Sequence, residues 1–419
     1  MPRLIVTGAT GYIGQRLCEL AADRGWEIVV LGTAPSTGRI ERSFVWRLGD
    51  DVPSTAFEGV TAVVHLAHSW NSDVEHRASS ANINLSGAEK LAHAAFAAGV
   101  PRFIFASTTS ARPQALNAYG QIKFALEKLL LALPVATGRV SCARIGLVYG
   151  GPEMGQYGLM SKLVRLTPVL PMVALDRHVQ PIYLDEVVAG LLALATGPAP
   201  SRDGIADGIS VLAGPAPVTF GEWLRMLRRS HTGKGLALLP IPAWMALLAC
   251  DLTRLVPFAP TVDRERVLGL LGTSPMESAH DLAALGVEII PPARRLAALR
   301  SVRMQIIAEA RAMLSYVSGE NRPPKAAIAR LVRAFDRQGG QPLGIPRPVV
   351  NCPSLLRVFE PLRARTGHRL AERLHLAVMV AESMREQGRR RPNIPSLLGL
   401  AFLEAIALPF RLLLGRHYA

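Results

Sequence analysis

Along the first third of the chain the spacing of apolar positions switches back and forth between two periods. The run Leu4-Ile5-Val6 is long enough for a buried strand of a parallel sheet, and Gln15 to Ala21 then carries apolar residues at helical spacing. A second apolar run spans Glu27 to Leu31 and a third strand precedes Gly49-Asp50-Asp51. A fourth closes at His65-Leu66-Ala67-His68, and a fifth ends in Phe103-Ile104-Phe105-Ala106-Ser107-Thr108. Asn84 opens a helix after the fourth, and Ala118 to Leu131 reads as a helix after the fifth. Strand and helix in alternation predict an α/β class protein, a doubly wound parallel sheet flanked by helices.

Two motifs fall at informative places on this pattern. Thr7-Gly8-Ala9-Thr10-Gly11-Tyr12-Ile13-Gly14 joins the first strand to the first helix. Glycine there lets the chain turn sharply, approach a pyrophosphate without an intervening Cβ and pack the helix close to the strand. The helix N-terminus then offers N–H groups to the anion. The second motif is Tyr119-x-x-x-Lys123, whose four-residue spacing puts both side chains on one helix face. An ammonium beside a phenol favours the phenolate, drawing a group with an ordinary pKa of about 10 towards working pH. Together they read as a nicotinamide dinucleotide facing a tyrosine acid/base.

With Arg144-Ile145-Gly146-Leu147-Val148-Tyr149-Gly150-Gly151-Pro152 and His178-Val179-Gln180-Pro181-Ile182-Tyr183-Leu184-Asp185 added in order, the chain resembles the short-chain dehydrogenase/reductase superfamily. The likeness is to its extended and atypical branch of NAD-dependent epimerases, dehydratases and sugar-nucleotide reductases, and it covers about residues 1 to 290. It implies a Rossmann-type cofactor domain over 1–165, a substrate-capping region over 150–292 that returns to the core near 181–185, and a separate basic helical module over 293–419. By the resemblance Tyr119 is the acid/base, Lys123 also holds the nicotinamide ribose, and a strand-end hydroxyl binds the reacting oxygen, with Thr108 favoured and Ser107 second. Gly8, Thr10, Gly11, Tyr12, Ile13 and Gly14 form the cofactor turn, Asp50 meets the adenine side, and Leu66 and Ala67 line the floor.

Two departures bear on specificity. Ten residues separate Thr108 from Tyr119, so the loop over the site is shorter than in typical sugar epimerases. The second strand ends in Gly32-Thr33, where an acidic side chain would clasp the ribose of NAD. Thr33, Ser36, Thr37 and Arg39 instead suit a 2′-phosphate, which inclines the cofactor to NADP, with NAD as the alternative. Thr109 to Leu116 holds no carboxylate, so reduction or epimerisation of a hydroxyl/ketone pair is preferred to dehydration. The expected substrate is a sugar nucleotide or a related, membrane-linked metabolite. The competing reading is a non-catalytic accessory or assembly subunit that keeps the dinucleotide as a structural ligand.

Charge divides the chain. Residues 293–419 carry 22 Lys and Arg against 8 Asp and Glu, while the remainder is nearly balanced, so the tail holds almost all of the +15 excess. Helices are predicted over Ala293–Val317 and Ala326–Phe335, a linker over Gly339–Pro353, and a helical segment from Ser354 to Met384. Ile394 to Leu414 is apolar on nearly all sides but contains Glu404 and Pro409; a buried bundle helix, a membrane-surface helix and a span are all open. Arg389-Arg390-Arg391 ahead of it suits anionic lipid, and the scarcity of interleaved aromatics disfavours nucleic acid. A second apolar stretch, Leu238 to Cys250, either packs on the cap or meets lipid. Cys18, Cys142, Cys250 and Cys352 form no CxxC and no His/Cys cluster has metal-ligand spacing, so no metal is expected. The chain enters a strand within three residues, which predicts a cytoplasmic protein, peripheral at the inner membrane face through 389–414; homodimerisation through the Tyr119 helix is implied by the resemblance.

Overall fold

The structure, a computed structural model, describes residues 1–33, 40–70, 82–134, 138–197, 208–253, 264–318, 322–337 and 342–359. The chain divides into two compact units, Met1–Leu296 and Ala297–Ala419.

The first unit begins β1 (Arg3–Thr7), α1 (Tyr12–Asp23), β2 (Glu27–Gly32), β3 (Arg42–Val45), β4 (Val60–His65), α2 (Ile83–Ala97), β5 (Arg102–Thr108), α3 (Ala118–Leu131) and β6 (Arg139–Ile145). It continues through β7 (Leu147–Tyr149), α4 (Gly155–Leu166), β8 (Val169–Met172), β9 (His178–Val179), β10 (Pro181–Tyr183), α5 (Leu184–Thr196) and β11 (Ile209–Leu212). Then follow β12 (Val218–Thr219), α6 (Phe220–Thr232), β13 (Ala237–Pro240), α7 (Ala243–Thr253), α8 (Arg264–Leu271) and α9 (Ala279–Ala284). α10 (Pro292–Ser318) leads into the second unit.

Seven strands form one sheet in the order β11-β6-β5-β4-β1-β2-β3, parallel at every pairing. The direction of winding reverses between β1 and β4, which opens a crevice at their carboxyl ends. Successive side chains alternate between faces, and both faces are covered. Leu4 and Val6 join Leu17, Ala21 and the α5 residues Val187, Val188 and Leu191 on one side. Ile5 joins Leu91, Phe103, Ile122 and Leu126 on the other. Near-continuous apolar strands are what a sheet buried on two faces requires.

The cap is more deeply joined to the core than the sequence indicates. Its residues 209–212 supply a seventh strand on β6, and α5 covers one sheet face. At the anticipated return near 181–185, β10 pairs with β7, and Asp185 takes a bidentate pair from Arg16 of α1 at 2.7 and 3.0 Å. Leu238 to Cys250 is not one helix: Ala237–Pro240 forms a strand on β8, and the helix starts at Ala243.

In the second unit, α10 is followed by α11 (Lys325–Arg337) and α12 (Arg347–Asn351). Ile306, Met313, Leu331, Ile345 and Val349 share its core. The stretch expected as a linker is packed where it is described. The buried carboxylate of Glu309 accepts the backbone N–H groups of Leu343, Gly344 and Ile345 at 2.7, 3.1 and 3.1 Å, a folding constraint that composition does not reveal. Arg389–Arg391 and Ile394–Leu414 lie outside the described residues. Among the described residues no helix is long and apolar enough to cross a membrane.

Candidate active site

The glycine turn is built to leave backbone exposed. Gly8 sits at φ +69°, and a Cβ there would lie 2.9 Å from the Ala67 nitrogen. At Gly14 a Cβ would overlap the Gly8 carbonyl oxygen, so the helix could not start where it does. The Gly11 amide closes the turn onto Gly8 O at 2.9 Å, and Gly11 caps α1 without any side-chain capping bond. A concave turn with a bare helix N-terminus fits the pyrophosphate of a dinucleotide. Ile13 packs on the core and Thr10 is exposed. The Tyr12 phenol points elsewhere: it donates to the Gly150 carbonyl and stacks on Tyr157 at 6.4 Å, and burial pushes its pKa up. Its side chain ties the turn to the cap.

Thr7 organises the floor beside this turn. Its buried hydroxyl oxygen accepts the N–H groups of Leu66 and Ala67 at 3.2 and 3.1 Å and lies 2.8 Å from His65 Nδ1. With two amides accepted, the one hydroxyl proton goes to Nδ1, which makes His65 a neutral Nε2–H tautomer. Burial, with Lys123 and His68 nearby, lowers its pKa to about 3. A histidine held neutral in the fold but free to charge when unfolded costs stability as pH falls below about 6.5, by up to about 1.4 kcal/mol per pH unit. Between pH 7.5 and 5.5 the melting temperature of the protein should fall, and His65→Gln should flatten that fall; an unchanged slope would contradict the assignment.

Tyr119 and Lys123 share a face of α3 as expected. Lys123 is buried, donates to the Ala106 carbonyl at 2.7 Å, and stands 4.5 Å from the Phe105 ring centre and 5.7 Å from that of Tyr119. The Tyr119 ring lies in an aromatic group, stacked on Trp70 at 5.0 Å and edge-on to His68 at 5.1 Å. Asn84 holds the loop after β4 in place, bonding Ser69 N and O at 2.7 and 3.0 Å.

The strand-end hydroxyls separate by role. Ser107 is buried and donates to Glu127 Oε1 at 2.5 Å; Glu127 also takes a bidentate pair from Arg144 at 2.9 and 2.7 Å, which raises the Arg144 pKa. Ser107 is therefore committed beneath the site. Thr108 is half-buried, and its Oγ1 accepts the Ser110 amide at 3.2 Å. The short loop beyond it is braced from the cap: Arg112 binds Ser274 and the Thr109 carbonyl, and Glu265 of α8 accepts the Ala118 amide at 2.6 Å. The sequence assigns no role to Thr7, Glu127 or Glu265.

Asp50, expected to meet the adenine side, is exposed, and its carboxylate accepts the Arg47 amide at 3.0 Å. Thr33 is exposed at the end of β2, Leu66 and Ala67 are half-buried, and Arg39, with Ser36 and Thr37, lies outside the described residues. Among the described residues no three His, Cys, Asp or Glu side chains group as metal ligands.

Residues 4–204 match the family described as "NAD dependent epimerase/dehydratase family". The chain is 25% identical over 252 residues to the 3 beta-hydroxysteroid dehydrogenase/Delta 5-->4-isomerase of Mycobacterium tuberculosis, covering 53% of this chain and 68% of that protein. It is 28% identical over 256 residues to the ceramide reductase of Caulobacter vibrioides, covering 58% and 78% respectively. Over 126 residues it is 30% identical to the UDP-glucose 4-epimerase of Klebsiella pneumoniae, which takes in 26% of this chain and 90% of that protein. A glycine turn on a sheet wound 3-2-1-4-5-6-11 and a matching family profile lead to one statement: the chain belongs to the NAD-dependent epimerase/dehydratase family, on the short-chain dehydrogenase/reductase fold.

Proposed function

We propose that this protein is an NADP(H)-preferring oxidoreductase that interconverts a secondary alcohol and a ketone on an apolar, lipid-class metabolite. The observation that carries the reading is the Lys123 ammonium, buried 5.7 Å from the centre of the Tyr119 ring and against the carbonyl of Ala106, on the strand that ends in Thr108. The nicotinamide, when bound, supplies or takes up the hydride. In the reducing direction the Tyr119 phenol gives its proton to the carbonyl oxygen while Thr108 hydrogen-bonds the same atom. Lys123 stabilises the phenolate charge that develops, and its bond to Ala106 fixes where that charge is felt. In the oxidising direction Tyr119 takes the proton back.

Three observations support the finer choices. β2 ends in Gly32-Thr33 with no acid, which favours a 2′-phosphate over a free ribose. The loop from Thr109 to Leu116 carries no carboxylate, and the nearby Glu127 is bound to Arg144 and Ser107, so the second acid/base of a dehydratase is missing there. The Trp70 and His68 rings beside Tyr119 favour a flat, apolar substrate, in keeping with relatives named for steroid and ceramide chemistry. A sugar nucleotide is the second reading, favoured by the identity to the UDP-glucose 4-epimerase.

The test is an absorbance assay of purified full-length protein with NADPH or NADH and dispersed keto-steroid or keto-ceramide, with UDP-glucose incubated in parallel with NAD or NADP and its sugar product separated by chromatography. Turnover of an apolar ketone with UDP-glucose inert is the expected result. Epimerisation of UDP-glucose with apolar ketones inert would move the assignment to the second reading.

A further inference from the structure

The helix that carries Tyr119 begins without a cap of its own. Asn117 stands at the N-cap of α3, but its side chain makes no capping bond, and the first turn holds no acid. A helix start leaves its leading N–H groups without partners inside the helix, at the positive end of the helix dipole. Here an acceptor comes from 147 residues away: the carboxylate of Glu265 on α8 accepts the Ala118 N–H at 2.6 Å.

The side chains of α8 divide this contact from the packing of the cap. Arg264 turns to Asp251 of α7 at 2.8 Å, whereas Glu265 turns to the start of α3. One turn on from Glu265, a Cβ at Gly269 would stand 3.0 Å from Asn117 Nδ2, and at Gly272 a Cβ would stand 3.4 Å from Leu116 Cγ. Positions 265, 269 and 272 follow helical spacing, so a single face of the helix and its end meets the residues that open α3. On the other side Val267 packs with Val173, Ala246 and Cys250.

Tyr119 lies between this contact and a second anchor. In the next turn of α3, Lys123 donates to the Ala106 carbonyl at 2.7 Å. At Gly120 a Cβ would lie 2.5 Å from the Ser110 carbonyl oxygen, so the first turn of α3 is laid directly on the loop after β5. The Ser110 amide donates to Thr108 Oγ1 at 3.2 Å. Tyr119 and Thr108 therefore share one loop as their support, and a shift of Ala118 moves the phenol relative to the hydroxyl.

We propose that Glu265 is a positioning residue for Tyr119: the cap supplies the carboxylate that closes the helix bearing the acid/base. An ionised acceptor on a helix-terminal N–H makes a charge-assisted bond, stronger than a neutral one. Its consequence for rate follows from geometry, since a misplacement of about 1 Å can cost about 10²-fold. The effect on turnover rests on the reductase reading, whereas the capping bond is read without turnover.

The experiment compares Glu265→Ala and Glu265→Gln with the wild type as full-length proteins, well below the melting temperature of each. Glu265→Ala should lower kcat for the reduced ketone by about 10- to 100-fold with nicotinamide affinity retained, because the glycine turn and Lys123 are untouched. Glu265→Gln, whose amide oxygen can accept the same N–H, should recover most of that loss. Site-resolved amide hydrogen exchange gives the second readout: the Ala118 amide should exchange at least about tenfold faster in Glu265→Ala. Unchanged exchange overturns the capping bond, and faster exchange with full kcat overturns the positioning role. An equal kcat loss in both variants also overturns it, since the charge rather than the bond would then be the source. Loss of nicotinamide binding alongside kcat would assign Glu265 to the fold alone. A wild type inert towards every ketone, with the Ala118 response present, would overturn the reductase reading and the positioning role with it, while the capping bond stands.

Discussion

Tyr119→Phe should lower turnover by about 10²- to 10⁴-fold while leaving nicotinamide affinity within about twofold. The two effects separate because the substitution removes one oxygen and keeps the ring. The ring is what packs on Trp70 and His68, so the loop after β4 and the start of α3 keep their contacts. Lys123 keeps its bond to the Ala106 carbonyl, so any hold it has on the cofactor survives. Only the proton donor is lost. Measuring kcat alongside fluorescence titration of the same preparation checks both parts; full turnover by the variant would remove Tyr119 from the chemistry and favour the accessory-subunit reading.

The second large effect concerns stability. Glu127 is buried on α3 and holds Arg144 of β6 and Ser107 of β5 together. Arg144→Met leaves that carboxylate without its countercharge in a low-dielectric site, a loss on the order of 3–5 kcal/mol. Replacing both partners, as Glu127→Leu with Arg144→Met, removes the unpaired charge and should recover a large part of it. Urea unfolding of the two variants and the wild type makes the comparison, and a double variant no better than the single one would show that the network stabilises by something other than charge pairing. Because Ser107 and Thr108 are adjacent, loosening this network should also shift the strand end that carries Thr108.

Much of the fold could be read from local pattern because a buried parallel sheet writes itself into short apolar runs. β1, β2, β5 and α3 are found where periodicity puts them, and the glycine turn is a contiguous motif whose backbone demands are local. Tyr119 and Lys123 were legible for the same reason, since helical spacing alone puts them on one face. What escaped is assembled from distant segments. Thr7 binding His65, Glu127 bridging β5 and β6, and Glu265 reaching the Ala118 amide each require the fold before the pairing exists. The seventh strand escaped because Ile209–Leu212 is four residues long and sits inside the cap sequence. Glu309, which turns an apparent linker into packed chain, is one carboxylate answering three amides 34 to 36 residues away. Tyr12 is expected in the cofactor turn by its motif position, and the motif does not reveal that its phenol donates to the distant Gly150 carbonyl.

The membrane question illustrates how a hydropathy pattern and a structure answer different parts. Leu238 to Cys250 is apolar throughout, which favours a helix packed on the cap and leaves a lipid-facing one as the alternative. The packing assigns each residue to one or the other: Ala246 and Cys250 to the core, Trp244 and Leu248 to the outside.

The measurement that bears most directly on the whole account is titration of the full-length protein with NADPH, NADP, NADH and NAD, read by nicotinamide fluorescence and by thermal shift. The predicted result is saturable binding that raises the melting temperature, tighter for the phosphorylated pair, because a ligand that binds only the folded state stabilises it in proportion to its occupancy. Failure of all four to bind would contradict the account, leaving the glycine turn as a structural relic and Tyr119 and Lys123 without a cofactor to serve.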